Sequence, residues 1–274
     1  MYIFENMDTL PDYISINRET WNKRCVVHFV SEFYAQESFL KGKSSLQEIE
    51  VALLGDLKGK TILHLQCHFG QDSLSMAKMG ATVTGVDFSE VAIKKAIAVS
   101  KELELAANFI CCDIYQLPEY LIGSFDVVFT SYGVIGWLPD IHQWAAIVGQ
   151  YLKPGGRFIF VEFHPVVWMF DNDFEKITHK YFNDGPIEET ETGTYTNPEA
   201  AIETESVGWN HGLAEVINSL LKQQLTLMHF EEFDYSPYNC LKGMQEAEPG
   251  KFIIEKLGTK IPLVYSLVFE KPVD

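Results

Sequence analysis

Between Lys60 and Phe163, short runs rich in β-branched and aromatic residues alternate with segments whose apolar positions recur every three or four residues. The pattern predicts strands over 61–65, 82–86, 108–112, 125–130 and 157–163, separated by helices that end near Met79, Leu103 and Leu152. Strands alternating with helices of this length form a parallel sheet covered on both faces, and such sheets take ligands beyond the carboxyl ends of their strands. Upstream, Trp21, Cys25, His28, Phe29 and Phe33 recur at helical spacing behind Asn17 as a cap; Ser45 with Glu48 has the spacing of a capping box, and Gly55 marks a helix end. Residues 1–57 therefore read as an N-terminal helical cap, and 58–274 as one α/β core. The rhythm breaks over 164–209, read as an insertion over the sheet edge with strands at 191–196 and 202–209. It returns with the helical stripe Leu213, Val216, Ile217, Leu220 and Leu221, a strand over 225–233 and a last strand over 263–269. The long polar segment 236–260 between those strands reads as a covering loop.

The chain has 274 residues, 47% hydrophobic and 22% charged, which suits a well-buried core and excludes a mainly disordered protein. Lys and Arg number 21 against 38 Asp and Glu, a net charge of -17 that repels the phosphate backbone, so no nucleic-acid partner is expected. The acidic runs at Glu188, Glu189 and Glu191 and at Glu231, Glu232 and Asp234 read as solvated faces. No run approaches the ~20 apolar residues that span a bilayer. The first residues lack the basic and apolar regions of a leader, so a cytoplasmic protein with no membrane partner is expected. Five cysteines without a C-x-x-C spacing suit reduced thiols better than a disulfide framework or a zinc cage.

The most informative stretch is TILHLQCHFGQDSLSMAKMGATVTGVDFS, residues 61–89: strand, tight loop, helix, strand and then an acid, Asp87. A loop of this kind brings backbone N–H groups to a ligand at a helix start, and an acid ending the second strand can accept from both ribose hydroxyls. The pattern alone suits a nicotinamide dinucleotide or S-adenosylmethionine. A pyrophosphate normally requires G-x-G-x-x-G, of which only Gly70 is present, so a dehydrogenase is disfavoured.

With Asp87-Phe88-Ser89, Cys112-Asp113-Ile114, Phe125-Asp126-Val127-Val128 and Leu152-Lys153-Pro154-Gly155-Gly156-Arg157 at successive strand ends and turns, the sequence resembles the class I S-adenosylmethionine-dependent methyltransferases over 58–163 and 211–271. The H-L-Q-C-H-F-G loop with S-Y-G-V and E-F-H-P downstream resembles a subgroup of them. The resemblance implies a Rossmann-like seven-stranded, mostly parallel sheet of order 3-2-1-4-5-7-6 with an antiparallel last strand, S-adenosylmethionine as cofactor, and methyl transfer to a small-molecule acceptor. It places Asp87 on the ribose, Phe88 near the adenine, Asp113 on the adenine amino group, Ser131-Tyr132-Gly133 beside the sulfonium and Gly70 against the methionine part. Phe69, Ser89 and Ile114 complete that set.

The loop departs from the family's pattern: His64 replaces an acid, and Gln66 and His68 replace two glycines. Lost glycines are expected to close off left-handed backbone and to reshape the cofactor site, with Gln66 or a neutral imidazole taking the place of the acid. His64 and His68 span strand and loop rather than one helix face, so no metal is expected. For a general base, His211, His164 and Tyr132 are the candidates; capping or loop packing is the plain structural reading of the two histidines. Trp21, Tyr34, Trp137, Trp168, Tyr195 and Trp209 crowd the covering segments and are expected to line a substrate pocket, though core filling explains any one of them. A non-catalytic adenosyl-binding protein with a degenerate loop is the competing function.

Overall fold

A computed structural model describes residues 12–273; the opening of the cap, with the first residues that were read as lacking a leader's features, lies outside the described residues. Five strands run β1 (Thr61–Leu65), β2 (Thr82–Asp87), β3 (Ala107–Cys111), β4 (Phe125–Ser131) and β5 (Leu152–Phe163). They are joined by α4 (Gln71–Lys78), α5 (Glu90–Glu102), the short α6 (Leu117–Tyr120) and α7 (Ile141–Tyr151), and preceded by α1 (Asp12–Phe29), α2 (Gln36–Leu40) and α3 (Glu48–Leu54). After β5 come the hairpin β6 (Ile187–Thr192) and β7 (Glu203–Gly208), α8 (Leu213–Leu221), β8 (Thr226–Phe233), the hairpin β9 (Met244–Glu248) and β10 (Lys251–Ile254), and β11 (Val264–Glu270).

The main sheet has seven strands in the order β3-β2-β1-β4-β5-β11-β8, which is the expected 3-2-1-4-5-7-6. β1 to β5 are parallel, and β11 is antiparallel to both β5 and β8. β5 shows why the central strands carry unbroken apolar runs. Phe158 and Phe160 pack against Trp144, Val216 and Leu220 on one face, while Ile159 packs with Leu54, Ile62, Met76 and Phe129 on the other. With helices on both faces, only the carboxyl ends of the strands remain for a ligand.

The caps differ from expectation. Asn17 lies inside α1, where its side chain pairs with the Val207 backbone, donating from Nδ2 to the carbonyl at 2.8 Å and accepting from the N–H at 2.9 Å. The capping box of α3 is formed by Gln47 and Glu50, not by Ser45 and Glu48. Ser45 instead donates its hydroxyl to Asp72 Oδ1 at 2.6 Å. The segment 236–260 contains the β9–β10 hairpin, whose turn at Pro249-Gly250 is the signal missed in the sequence.

Within the 164–209 insertion, the β6–β7 hairpin packs on α1 and not along an edge strand of the sheet. The hairpin is clasped to α1 through Asn17–Val207, through Thr20, whose hydroxyl donates to the Glu205 carbonyl, and through Arg24 to Glu191 Oε2 at 2.6 Å. Trp209 then donates its N–H to Gly136 O at 2.8 Å in the turn after β4. Hairpin and α1 together cover the carboxyl ends of the central strands. That placement explains an unusual helix: α1 buries Asn17, Thr20, Arg24 and His28, four polar side chains at helical spacing, where a surface helix normally buries an apolar stripe. No helix of the described residues is long and apolar enough to cross a membrane.

Candidate cofactor cleft

A cleft opens at the ends of β1, β2 and β3. Its floor is Gln66, Asp87, Phe88, Asp113 and Ile114; its roof is Tyr13, Ile14 and Asn17 of α1, with Trp137 and Leu138 from the turn after β4. Asp87 ends β2, and its carboxylate accepts from the N–H of His68 at 2.8 Å and of Ser89 at 2.9 Å. It is 7% exposed, and burial pushes its carboxyl up to about 6, against the pull of those N–H donors. Asp113 follows β3 and accepts from Tyr115 N at 3.2 Å, capping the turn that carries Ile114. Two acids one strand apart, each at a strand end and each facing one cleft, suit the paired hydroxyls of a ribose and the amino group of a purine.

The loop below the cleft corrects an expectation. Gln66 and His68 hold φ values of +53° and +51°, so the backbone keeps the left-handed shape that glycines would supply. Each such residue costs roughly 1–2 kcal/mol, and the loop offsets it with bonds of its own. His68 N–H holds Asp87, and Gln66 Nε2 donates to Val134 O at 3.2 Å, tying the loop to the turn after β4. Gln66 Oε1 is buried without a hydrogen-bond partner in a side chain that lines the cleft, as suits a residue that meets a polar ligand.

Other candidates have structural places. His64 does not reach the cleft: it is buried, its Nδ1 lies 2.8 Å from Ser73 Oγ, its ring packs on Phe129, and burial pushes its pKa down to about 3, leaving it neutral. The His68 ring turns away toward Trp21, His28 and Tyr34. Phe69 packs with Cys25 and Ala92, and Ser89 caps α5 by accepting from Ala92 N at 3.1 Å. Gly70 is required by close packing, since a Cβ there would lie 2.8 Å from Phe109 Cε1. Ser131, at the end of β4, hydrogen-bonds Asp72.

Among the proposed bases, His211 places Nε2 2.7 Å from Leu138 O and Nδ1 3.2 Å from Glu215 Oε2. His164 Nδ1 accepts from Val166 N at 3.2 Å, and its Nε2 lies 2.9 Å from Glu232. Both rings are spent on loop and helix structure, and neither lines the cleft. Tyr132 donates to the buried Glu50 at 2.9 Å. His211→Ala is accordingly expected to lower stability by ~1–3 kcal/mol, the cost of orphaning a buried polar group. A urea melt and an S-adenosylhomocysteine titration check this: the midpoint falls while affinity stays level.

Four of the six aromatics expected around a substrate do converge. Trp21 and Trp137 meet edge to face with centroids 5.3 Å apart, Trp21 reaches His68 at 5.3 Å, and the Tyr34 and Tyr195 hydroxyls lie 2.6 Å apart beside His28. Trp209 packs on Tyr13 at 5.3 Å. Trp168 does not join them; it packs on Phe163 and is partly exposed. The sequence reading missed Arg24 and, as functional residues, His28, Asn17 and Tyr13. Their signal was the run of polar residues on what was expected to be an apolar helix face.

Residues 62–156 match the family described as Methyltransferase domain. Over that stretch the chain is similar to a methyltransferase domain. The matched stretch ends within β5, so it holds the loop, both acids and Trp137 but neither α1 nor the hairpin. Over 104 residues the chain is 36% identical to a ubiquinone biosynthesis O-methyltransferase of Coxiella burnetii, a match covering 38% of this chain and 44% of that protein. The match thus spans less than half the length of the curated relative. The fold is shared with an S-adenosylmethionine-dependent methyltransferase from Mesorhizobium loti at 21% identity and a TM-score of 0.57, covering 84% of this chain and 99% of that one. It is also shared with geranyl diphosphate C-methyltransferase from Streptomyces coelicolor, solved with Mg2+, geranyl diphosphate and S-adenosylhomocysteine, at 15% identity and a TM-score of 0.60, covering 96% and 99%. The family match and these neighbours of the methyltransferase domain support S-adenosylmethionine as the cofactor.

Proposed function

We propose that the protein transfers a methyl group from S-adenosylmethionine to a small-molecule acceptor. The observation that carries this reading is the juxtaposition of Asp87 and Asp113 at neighbouring strand ends in one cleft, within a stretch that is similar to a methyltransferase domain. When bound, S-adenosylmethionine supplies an electrophilic methyl on a sulfonium. Asp87 accepts from the ribose hydroxyls, Asp113 from the adenine amino group, and Phe88 and Ile114 cover the purine faces. Gln66 Oε1 accepts from a donor of the methionine part, in place of the acid that His64 displaces. In-line displacement on a methyl carbon needs little covalent help, so the protein's work is to align the acceptor and exclude water. α1 and the hairpin do both, because they roof the strand ends and are clasped to each other by side chain-to-backbone bonds. The test is a methyl-transfer assay with radiolabelled cofactor against mixed pools of phenols, carboxylates, thiols and amines. Label transferred into one pool, with S-adenosylhomocysteine formed in equal amount, is the expected result. Cofactor bound by the protein yet transferred to none would favour the non-catalytic reading.

A further inference from the structure

Arg24 and His28 stand one helical turn apart on the buried face of α1, 6% and 0% exposed. Neither lines the cofactor cleft. The guanidinium lies 5.7 Å from the ring centroids of both Trp21 and Trp137, and one of its nitrogens, Nη2, is held by Glu191 of the hairpin at 2.6 Å. Its Nε is buried with no hydrogen-bond partner, and so is Nε2 of His28. The other ring nitrogen of His28, Nδ1, lies 3.3 Å from His68 Nε2 and 3.5 Å from the Tyr195 hydroxyl, either of which can donate to it. With Nδ1 accepting, the imidazole proton sits on Nε2. Burial, with Arg24 adding to it, pushes the His28 pKa down to about 3, so the ring is a neutral donor across the physiological range. Two polar nitrogens, Arg24 Nε on a permanent cation and His28 Nε2, are thus buried and unanswered between flat aromatic walls. A buried donor of this kind costs stability unless something accepts from it.

We propose that Arg24 and His28 form an oxyanion subsite of the acceptor pocket, and that the acceptor is a planar compound carrying an ionised oxygen, an aromatic carboxylate or a phenolate. This rests on the methyltransferase reading above. Neither Arg24 nor His28 lines the cleft that holds Asp87 and Asp113, so the subsite is assigned to the acceptor and not to the cofactor's own carboxylate. A cationic acceptor is disfavoured because the guanidinium already occupies the two indole rings. Glu191 is then the competitor that an incoming anion meets at Arg24.

Calorimetric titration of the protein saturated with S-adenosylhomocysteine tests this, using benzoate, 4-nitrophenolate and benzylamine as probes. At least one anion should bind and benzylamine should not; which anion binds separates the carboxylate from the phenolate. Arg24→Gln should weaken that anion about tenfold or more, the loss of a charge-assisted bond. Glu191→Gln should tighten it, an outcome that a damaged fold does not produce. S-adenosylhomocysteine affinity should stay within about twofold in both variants. Preference for benzylamine, binding of neither anion, or anion affinity indifferent to Arg24→Gln would overturn the proposal. So would a cofactor affinity that falls with Arg24→Gln, since the donors would then serve the cofactor. If wild type binds no S-adenosylhomocysteine, the methyltransferase reading fails separately, and the same probes applied to the free protein decide the oxyanion site.

Discussion

Asp87→Ala is expected to weaken S-adenosylhomocysteine binding by about 100-fold or more while leaving a folded protein. Its carboxylate is assigned two ribose hydroxyls, and hydrogen bonds to a charged acceptor are worth ~1.5–3 kcal/mol each. The mutant also loses the bond from His68 N–H, so the left-handed loop slackens under the ligand. Circular dichroism and calorimetry on one sample separate unfolding from lost binding. The same carboxylate gives a pH signature. Burial holds its pKa at about 6, so it is mostly ionised at pH 7.5 and mostly protonated at pH 5. A protonated acid accepts less well, so wild-type affinity should fall as pH drops through about 6, and this dependence should vanish in Asp87→Ala. Undiminished affinity in the folded mutant would remove Asp87 from the site.

Glu162→Ala is expected to be the most destabilising single change. Glu162 is 2% exposed, and its carboxylate accepts from four backbone N–H groups: Gly133, Val134 at 2.7 Å, Ile135 at 3.2 Å and Phe163 at 2.7 Å. Alanine leaves all four donors buried and unanswered. At ~1–3 kcal/mol each, with partial relaxation, the loss should be ~3–5 kcal/mol and the melting temperature should fall by about 10 °C. Because these amides shape the turn that carries Trp137, adenosyl affinity should fall with stability. A melting temperature within about 2 °C of wild type would mean that the turn holds itself.

Glu162 also explains how much was legible. The motifs S-Y-G-V and E-F-H-P stand out in the sequence as a pair, and the structure supplies the reason: the glutamate of one folds the backbone of the other. The central strands were legible because runs such as that of β5 are apolar on both faces and turns carry their own punctuation, as at Lys153-Pro154-Gly155-Gly156, whereas their order came from the family resemblance. The acids Asp87 and Asp113 were legible because a strand end is a position that periodicity locates. The loop was misjudged. Gln66 and His68 look incompatible with a glycine loop, yet both adopt its left-handed backbone, because side-chain and backbone bonds to Val134 and Asp87 offset a strain that composition cannot reveal. His211 and His164 drew attention as titratable residues beside strand ends, whereas their nitrogens are spent on local structure. Arg24 and His28 escaped notice for the opposite reason. They sit on α1, far from every motif in sequence, and only the fold brings them over the loop.

The central claim is that this reshaped loop still holds an adenosyl cofactor, and calorimetric titration with S-adenosylmethionine and S-adenosylhomocysteine, with NAD as control, tests it most directly. Micromolar binding of both adenosyl ligands, without binding of NAD, is the expected result. Binding of NAD alone, or of none of the three, would contradict the claim.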